Sequence, residues 1–533
     1  MIRNFLTVGG LTLLSRVTGF LRDIMLAAVL GAGPVADAFF VALRLPNHFR
    51  AIFAEGAFNA AFVPAYARVR EQGGADPARL FADRIFTMLF ASQVVLLALA
   101  LLFTPATIDL LAPGFRGDPG RYGLAVDLTR ITFPYLLLIT VVTLYGGMLN
   151  TLHRFAAAAA APILLNLSMM VALALAAFFP TAGHAAAWGV LIAGVLEVLL
   201  LLTDAGKAGV IARFRWPQLD EDIRKFFRAL GPATIGSAGV QLALFADTVI
   251  ASFLATGALS ALYYADRLNQ LPIGVIGIAI GTVLLPDMAR KIASGDEAGA
   301  SHAQNRAIEL TLLLSIPCVI AFLIVPDLIM RALFQRGAFT ANDAQAAGAT
   351  LSAYAIGLVP FVLIRSATAT FFARGDTATP VKASLIAAAV NIAFKVALMG
   401  SLAQIGLALA TSIGAWINLA LVLWFASRAG LLRIDARLKH SLIILIFCGA
   451  VLAIFLWYST APVVGWLSSN TLMRDEAALM ILAAASAVIY GGLIVGTLGQ
   501  RWFGGFRGLP KTQSSQSQSS QSIDGVDKPG LGG

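Results

Sequence analysis

Charge is scarce in this chain of 533 residues, of which 12% are charged and 59% are hydrophobic. Apolar stretches long enough to cross a hydrocarbon core of about 30 Å recur along nearly the whole length. Such a composition argues against a soluble globular protein. It predicts an all-α polytopic membrane protein, because helices satisfy their own backbone hydrogen bonds within lipid.

Cysteine and histidine are also rare, and their positions argue against the chemistry that they usually support. Cys318 and Cys448 lie singly within apolar runs, so neither a disulfide nor a metal site is predicted from them. The five histidines lack the spacing of a zinc site or of a nucleophile with its base. A Gly-x-x-x-x-Gly-Lys-Ser/Thr phosphate loop is absent as well. We therefore expect a protein that is not an enzyme and that has no cofactor.

Fourteen transmembrane helices are predicted, and the distribution of cations predicts their orientation. Arginine and lysine concentrate in alternate connections, for example Arg68, Arg70 and Arg79 in one and Arg433 and Arg437 in another. The connections between them are poor in cations and carry only Arg116, Arg121, Arg336 and Arg474. By the positive-inside rule these connections are cytoplasmic, and an even number of spans leaves both termini inside. The spans lie near residues 5–30, 35–64, 80–104, 127–151, 158–179, 185–204, 226–254, 261–286, 304–330, 344–372, 379–400, 404–427, 438–460 and 475–498.

An internal repeat divides the chain. Pro64-x-x-Ala67-Arg68 recurs as Pro286-x-x-Ala289-Arg290, and Gly33 with Phe39-Phe40 recurs as Gly257 with Tyr263-Tyr264. The repeat predicts two pseudo-symmetric six-helix lobes, at 1–215 and 216–430, then an extra helix pair at 431–500 and a disordered cytoplasmic tail at 501–533. Transporters built from parallel repeats bind their substrates between the halves, near the middle of the membrane.

Charged residues nonetheless occur within the predicted spans. The first two spans contain Arg16, Arg22, Asp23, Asp37, Arg44 and Arg50, and the second half adds Asp266, Arg267, Arg365 and Lys395. A charge at the centre of a membrane helix costs roughly 2.5–3.5 kcal/mol, so several arginines together require an aqueous cavity or an anionic partner. Paired charges could instead brace neighbouring helices. Because cations are in excess, the sequence predicts a site for an anion.

The helical period predicts which of these charges share a face. On the first span, Arg16 shares one face with Asp23, while Arg22 lies on another. On the second span, Asp37, Arg44 and Glu55 form one polar face if the helix is continuous, but a proline at position 46 interrupts it.

Several segments resemble the signatures of one membrane-protein family. They are Ser15-Arg16-Val17-Thr18-Gly19-Phe20-Leu21-Arg22-Asp23, Ala36-Asp37-Ala38-Phe39-Phe40, Leu45-Pro46-Asn47, Ile52-Phe53-Ala54-Glu55-Gly56-Ala57-Phe58, Tyr263-Tyr264-Ala265-Asp266-Arg267 and Phe334-Gln335-Arg336-Gly337-Ala338-Phe339. Over about residues 3–500 the chain is similar to the MurJ (MviN) family of lipid II flippases.

This resemblance implies a fold, a substrate and a location. The fold is that of the multidrug/oligosaccharidyl-lipid/polysaccharide exporter superfamily, in which two lobes form a V around a cationic cavity and the last two helices form a groove for a polyprenyl tail. The substrate is lipid II, the undecaprenyl-pyrophosphate-linked peptidoglycan precursor, which is moved from the inner to the outer leaflet of the bacterial cytoplasmic (inner) membrane. Membrane lipids are expected partners, and cell-wall synthesis or division proteins are candidates. We expect a monomer that binds no nucleic acid.

The resemblance also implies residue roles. The family's central arginine triad matches Arg22, Arg50 and Arg267, and its other sensitive polar positions match Arg16, Asp37, Asn47 and Glu55. We expect the three triad arginines, Arg16 and Asn47 to bind the substrate, and Asp23, Asp37, Glu55 and Asp266 to form gates or ion pairs. Some members hold a sodium ion, at positions that match Asp247, Asn391 and Thr411. Here Lys395 stands one helical turn after Asn391, where a carboxylate ligand would align, so we expect its ammonium to replace the ion.

Two other classes of function share some of these features. A flippase for another polyprenyl-linked glycan, or a small-molecule antiporter of the same superfamily, would have the same two-lobed fold. A cationic drug would require carboxylates, so the arginine-rich first two helices favour a lipid-linked anion. A scaffold for cell-wall enzymes without transport is the third class, but it would not need the buried charges.

Overall fold

The computed structural model describes the backbone of residues 2–50, 57–467 and 473–506. Within these ranges the chain forms helices joined by short connections, and no strand is present among the described residues. The all-α prediction is confirmed.

Nine α-helices are described in the first half. They are α1 (Ile2–Leu30), α2 (Pro34–Phe49), α3 (Ala57–Gly73), α4 (Ala75–Leu102), α5 (Thr104–Leu111), α6 (Pro119–Thr132), α7 (Tyr135–Thr151), α8 (Ala156–Ala174) and α9 (Ala182–Lys207). Within this half, α1 packs on α8, α2 on α6, and α8 on α9.

Eight more are described in the second half and the C-terminal pair. They are α10 (Glu221–Ser252), α11 (Ala258–Ala293), α12 (Glu297–Ile324), α13 (Pro326–Phe334), α14 (Ala341–Phe372), α15 (Ala378–Arg428), α16 (Ala436–Trp466) and α17 (Arg474–Phe506). Helix α14 packs between α11 and α15, and α16 packs on α12 and α17. Because α17 continues to Phe506, residues 501–506 of the predicted tail are helical. The rest of that tail, 507–533, lies outside the described residues.

Among the described residues, ten helices are long and apolar enough to cross a membrane. One of them, α15, has 51 residues, about twice the length that a bilayer requires. It contains a break at Ala403, where φ is 46°, between the predicted spans 379–400 and 404–427. The helices therefore fit the fourteen predicted spans.

The predicted second span, 35–64, is not one described helix. Helix α2 has Pro46 in its last turns and ends at Phe49, and α3 begins at Ala57. A proline removes one backbone hydrogen bond and clashes with the preceding turn, which favours a helix end nearby. Arg50 consequently lies at the end of α2. Glu55, which was predicted to continue the polar face of this span, lies outside the described residues.

Candidate functional site

One carboxylate lies between two guanidinium groups from the two halves of the chain. On α1, Arg22 donates to Asp23 Oδ1 from Nε at 3.1 Å and from Nη2 at 2.7 Å. On α11, Arg267 Nε lies 3.8 Å from Asp23 Oδ2. Arg22 Nη1 also donates to Asn166 Oδ1 of α8 at 3.0 Å. Asp23 therefore links α1 to α11, while Asn166 fixes Arg22 within the first half.

An aromatic side chain orients this charged group. The Tyr263 hydroxyl lies 3.3 Å from Asp23 Oδ1, and the guanidinium carbon of Arg267 lies 4.6 Å from the centre of the Tyr263 ring. That ring stacks on Phe40 of α2, with 3.8 Å between the ring centres. Arg267 keeps 42% of its side-chain surface accessible, against 13% for Arg22 and 6% for Asp23. Arg267 thus contacts Asp23 and Tyr263 on one side, and the rest of its side chain remains accessible.

Two more arginines approach the same face of α11. A Cβ added at Gly274 would lie 2.6 Å from Arg16 Nη1, and one added at Gly277 would lie 2.8 Å from Arg365 Nε. The two glycines therefore allow both guanidinium groups to contact the backbone of α11. Neither arginine forms an ion pair with another residue in the described ranges. Arg16 and Arg365 therefore add two guanidinium groups beside α11.

A second charged cluster lies beside α10. Lys395 Nζ of α15 donates to Asp247 Oδ1 at 2.5 Å, and Lys395 is buried, with 3% of its side-chain surface exposed. Arg44 of α2 donates to Thr248 Oγ1, next to Asp247, at 2.9 Å. Asp266 interacts electrostatically with both Arg44 and Asp247. Two cations and two anions from four helices therefore balance one another.

The predicted cation set does not fit a sodium ion here. The Lys395 ammonium already binds Asp247, so a metal cation would have to displace it. Thr411 Oγ1 donates to Leu407 O of its own helix at 2.9 Å. Asn391 Oδ1 is buried without a hydrogen-bond partner. Among the described residues, no group of three or more His, Cys, Asp or Glu side chains could hold a metal ion.

Asp37 joins the two halves at one end of the molecule. Its carboxylate is fully buried and accepts hydrogen bonds from Gly257 N at 2.8 Å, Ser260 N at 2.9 Å and Ser260 Oγ at 2.5 Å. These groups belong to the first turn of α11, so Asp37 caps that helix from another part of the chain and its charge complements the helix dipole. Arg121 Nη1 lies 3.4 Å from Asp37 Oδ2.

Further contacts close the same end. Ala338 N donates to Ala28 O at 2.7 Å, and the Tyr264 hydroxyl donates to Gly31 O at 3.2 Å. Together with the Asp37 cap, these bonds tie the α1–α2 connection to α11 and to the segment after α13. The connections at this end include those that the sequence shows to be poor in arginine and lysine.

One cavity in the first half brings Arg50 together with other polar side chains. Arg50 lines a cavity of about 170 Å³ inside the first half, together with Asn59, Tyr135, Asn150 and Glu197. Asn47, one turn earlier on α2, is half-buried. Leu165 of α8 lines this cavity, and the next residue of α8, Asn166, binds Arg22.

Sequence reasoning missed three residues that the structure brings into this region. Asn166 is an amide within the predicted fifth span, and Arg121 was assigned only to a connection. Glu197 is a charge within the predicted sixth span, 185–204, which is the same signal that identified the arginines of the first two spans. A search of every predicted span for charged residues would therefore have found Glu197.

Comparison with known proteins gives consistent results. The family model "Lipid II flippase MurJ" matches residues 26–474. The chain is 38% identical over 534 residues to the probable lipid II flippase MurJ of Rhizobium meliloti (strain 1021), covering 99% of each protein. It is 38% identical over 513 residues to the probable lipid II flippase MurJ of Rhizobium tropici, covering 93% of this chain and 96% of that protein. Against the lipid II flippase MurJ of Burkholderia cenocepacia it is 32% identical over 512 residues, covering 95% and 98%.

Solved structures share the fold. A lipid II flippase MurJ in an inward closed conformation matches with a TM-score of 0.77 and 21% identity, over 93% of this chain and 99% of that one. An inward-facing multidrug transporter of the MATE family and the MOP superfamily matches with a TM-score of 0.64 and 16% identity, over 78% and 95%.

Proposed function

The chain belongs to the lipid II flippase MurJ family, and from that premise we propose that it moves lipid II from the inner to the outer leaflet of the bacterial cytoplasmic membrane by alternating access. Members of this family are transporters and not enzymes, and the chain is a multi-pass membrane protein. Both termini are cytoplasmic in this proposal, as the distribution of cations favours.

The observation that carries the proposal is the position of Asp23 between Arg22 and Arg267. A pyrophosphate offers several anionic oxygens, and a guanidinium group binds such oxygens bidentately with charge-assisted hydrogen bonds. We propose that the substrate's pyrophosphate takes the place of the Asp23 carboxylate at these two arginines. Arg267 is the first to engage, because its contact with Asp23 is 3.8 Å long and its side chain is 42% accessible. Arg16 adds further positive charge from α1.

The positions of these arginines in the two halves of the chain support alternating access. Arg22 belongs to the first half and Arg267 to the second, so an anion that binds both favours one relative position of the halves over others. The end closed by Asp37 and the first turn of α11 faces outward in this proposal. Outward release requires that cap to break, while another set of contacts closes the cytoplasmic side.

An apolar cavity suits the substrate's polyprenyl tail. It has a volume of about 600 Å³ and is lined by α12, α16 and α17, through residues that include Leu313, Pro317, Phe322, Leu452 and Leu482. An isoprenoid chain is excluded from water by the hydrophobic effect and needs no polar partner. We propose that the C-terminal pair holds the tail while the arginines bind the head group. The protein acts as a monomer in this scheme, and the scheme requires no cell-wall synthesis or division protein.

The proposal is tested in cells whose only lipid II flippase is this chain under a repressible promoter. On depletion, lipid II is expected to accumulate and to become inaccessible to a lipid II-consuming reagent added outside spheroplasts. If outer-leaflet lipid II stays unchanged while another polyprenyl-linked glycan accumulates inside, the substrate is that glycan. If neither lipid accumulates, the chain is not the flippase of these cells.

A further inference from the structure

Helix α13 and the turn after it, residues 335–339, connect the apolar cavity to the closed end of the molecule. Ile329 of α13 lines the cavity of about 600 Å³, as does Val325, the single residue between α12 and α13. Leu479 and Leu482 of α17 line the same cavity. The mechanism proposed above assigns this cavity to the isoprenoid tail and gives α13 no part in transport.

Two ion pairs join α13 and its turn to the first turn of α17. Arg331 Nε donates to Asp475 Oδ2 at 2.9 Å, and Arg336 Nη2 donates to Glu476 Oε1 at 2.7 Å. Arg336 also donates to two of the last carbonyls of α13, at 2.7 and 3.0 Å. It thereby satisfies carbonyl groups that a helix end leaves without partners. One arginine therefore holds together the end of α13, the turn after it and the start of α17.

The α13 turn docks on the backbone of α1. Ala338 N donates to Ala28 O at 2.7 Å, and a Cβ added at Gly337 would collide with that same oxygen. Gly337 has a φ of 57°, a conformation that favours glycine. A Cβ added at Gly31 would likewise lie 2.6 Å from Ala338 O. The two backbones are therefore in direct contact, without room for a side chain between them.

Aromatic side chains extend the same contact. Phe334, the last residue of α13, packs against Phe20 of α1 with 6.3 Å between ring centres, and against Tyr264 of α11 with 5.4 Å. Phe339 packs edge-on against Tyr264 with 5.2 Å between ring centres. Since the Tyr264 hydroxyl donates to Gly31 O, the α13 turn belongs to the contacts that close this end.

We propose that the C-terminal helix pair takes part in closing the outward end, and that an isoprenoid chain in the apolar cavity weakens this closure. The connection runs from α17 through Arg336 to the α13 turn, and from the turn to Ala28 of α1. The inference rests on the proposed function, in which the cavity holds the substrate's tail and the end closed by Asp37 faces outward.

The lining of the cavity gives the direction of the effect. Ile329 of α13 and Leu479 of α17 both contribute to its wall, and Leu479 lies about one helical turn after Glu476. A chain that enters between the two helices therefore separates them close to their ion pairs. Arg336 and Glu476 keep 41% and 34% of their side-chain surfaces accessible, so their attraction is weak and falls as they separate. Once Glu476 has moved away, the turn is held less firmly and its bond to α1 breaks more often.

Such a connection distinguishes a lipid-linked anion from a soluble one. A soluble anion can bind the arginines of α1 and α11, but it does not fill the apolar cavity. It therefore leaves the α13 turn docked on α1. The outward end opens more readily for an anion that carries an isoprenoid chain, because only that ligand acts on both sites.

The test measures amide hydrogen exchange of residues 335–339, in the full chain in lipid nanodiscs. Exchange of a hydrogen-bonded amide depends on how often its bond opens, so Ala338 N reports undocking of the turn. Glu476→Ala is expected to speed this exchange up to about fivefold, because it removes one accessible ion pair. Arg336→Ala is expected to speed it at least as much, because it also removes the bonds to the end of α13. The double variant is expected to equal Arg336→Ala, since both substitutions act through one contact.

Glu297→Ala is the matched control. Glu297 lies in the first turn of α12 and pairs with Arg374, which also donates to Thr370 O of the preceding helix at 2.8 Å. Arg374 thus makes the same two kinds of bond as Arg336, but α14, with 32 residues or about 48 Å, separates it from the α13 turn. This variant is expected to leave the exchange of residues 335–339 unchanged.

The tail is tested without the head group. Geranylgeraniol, an uncharged isoprenoid alcohol, offers no anion to the arginines, and a photoreactive form of it shows by crosslinks to the lining residues that it occupies the cavity. It is expected to speed exchange of residues 335–339 severalfold in the unmodified chain and to have no further effect in Arg336→Ala. A merely structural role of Arg336 would not abolish the response to the alcohol.

The outcomes separate this inference from the proposed function. Exchange that Glu476→Ala leaves unchanged, or that Glu297→Ala speeds equally, overturns the connection between α17 and the turn. Geranylgeraniol that crosslinks to the cavity without changing the exchange overturns the inference equally, and this measurement on the unmodified chain decides if a variant does not fold. These results leave the flippase proposal intact. If no crosslink to the cavity forms, its assignment to the tail in the proposed function is wrong, and this inference with it.

Discussion

Replacing Arg267 with lysine tests whether the geometry of the guanidinium, and not its charge alone, is required. In the free protein Arg267 makes a 3.8 Å ion contact with Asp23 and lies 4.6 Å above the ring of Tyr263. An accessible ion pair contributes about 0–1 kcal/mol and an exposed cation–π contact about 0.5–1 kcal/mol. Lysine can retain part of both, so Arg267→Lys is expected to fold with a loss below about 1 kcal/mol.

The expected loss of substrate binding is larger than the loss of stability. A bidentate guanidinium makes two charge-assisted hydrogen bonds to a pyrophosphate, and the lysine ammonium does not reproduce that planar arrangement. One hydrogen bond to a charged group is worth about 1.5–3 kcal/mol, which corresponds to a roughly 10- to 150-fold weaker affinity. The assay measures binding of the pyrophosphate-linked disaccharide to purified protein and transport of lipid II in cells with matched expression.

Arg428→Lys provides the control. Arg428 lies 4.6 Å above the ring of Trp424 at the end of α15, so this substitution alters a cation–π contact of the same length outside the site. It is expected to bind and transport like the unmodified chain. If Arg267→Lys also binds and transports normally, a point charge is sufficient and the bidentate scheme is wrong. If both variants lose activity equally, the effect comes from stability and not from substrate binding.

Three further predictions follow from the two charged clusters and from the closed end. Lys395→Asp is expected to make transport respond to sodium, because it leaves two carboxylates beside Asn391. In reconstituted vesicles, transport by the unmodified chain is expected to be insensitive to sodium, and strong sodium dependence of that chain would contradict the prediction. Asp37→Asn is expected to weaken the cap of α11 by about 1–2 kcal/mol. In an otherwise cysteine-free chain, a cysteine placed at Ala258 is then expected to be labelled roughly 5- to 30-fold faster. An unchanged labelling rate would mean that the cap does not hold this end closed. Collapsing the membrane potential is expected to slow outward transport, because two negative charges gain about 5 kcal/mol at 100 mV. An initial rate that stays the same would show that no net charge moves.

The helical period predicted local faces correctly, because it needs only the chain itself. Arg16 and Asp23 were predicted to share a face, and both lie toward α11 in the structure. The sequence also indicated that Pro46 would interrupt the second span, and α2 ends at Phe49. Local backbone rules were sufficient in these cases.

The partners of each charge could not be predicted, because they come from distant parts of the chain. Asp37 caps a helix that begins more than two hundred residues later, and Arg50 lines a cavity of the first half that Glu197 also lines. Lys395 was expected to replace a cation, and its bond to Asp247 could be suggested only through the resemblance to the family. Such contacts depend on helix packing, which periodicity does not specify.

The most direct test of the account is the leaflet distribution of lipid II in vesicles that contain this chain as their sole protein. Lipid II is placed in the inner leaflet, and an externally added enzyme consumes whatever reaches the outer leaflet. The account predicts that the unmodified chain exposes lipid II, and that a double variant with Arg22→Gln and Arg267→Gln, purified in the same folded state, leaves it inside. Equal exposure by the double variant and the unmodified chain would contradict the central claim that these two arginines bind the pyrophosphate during transport.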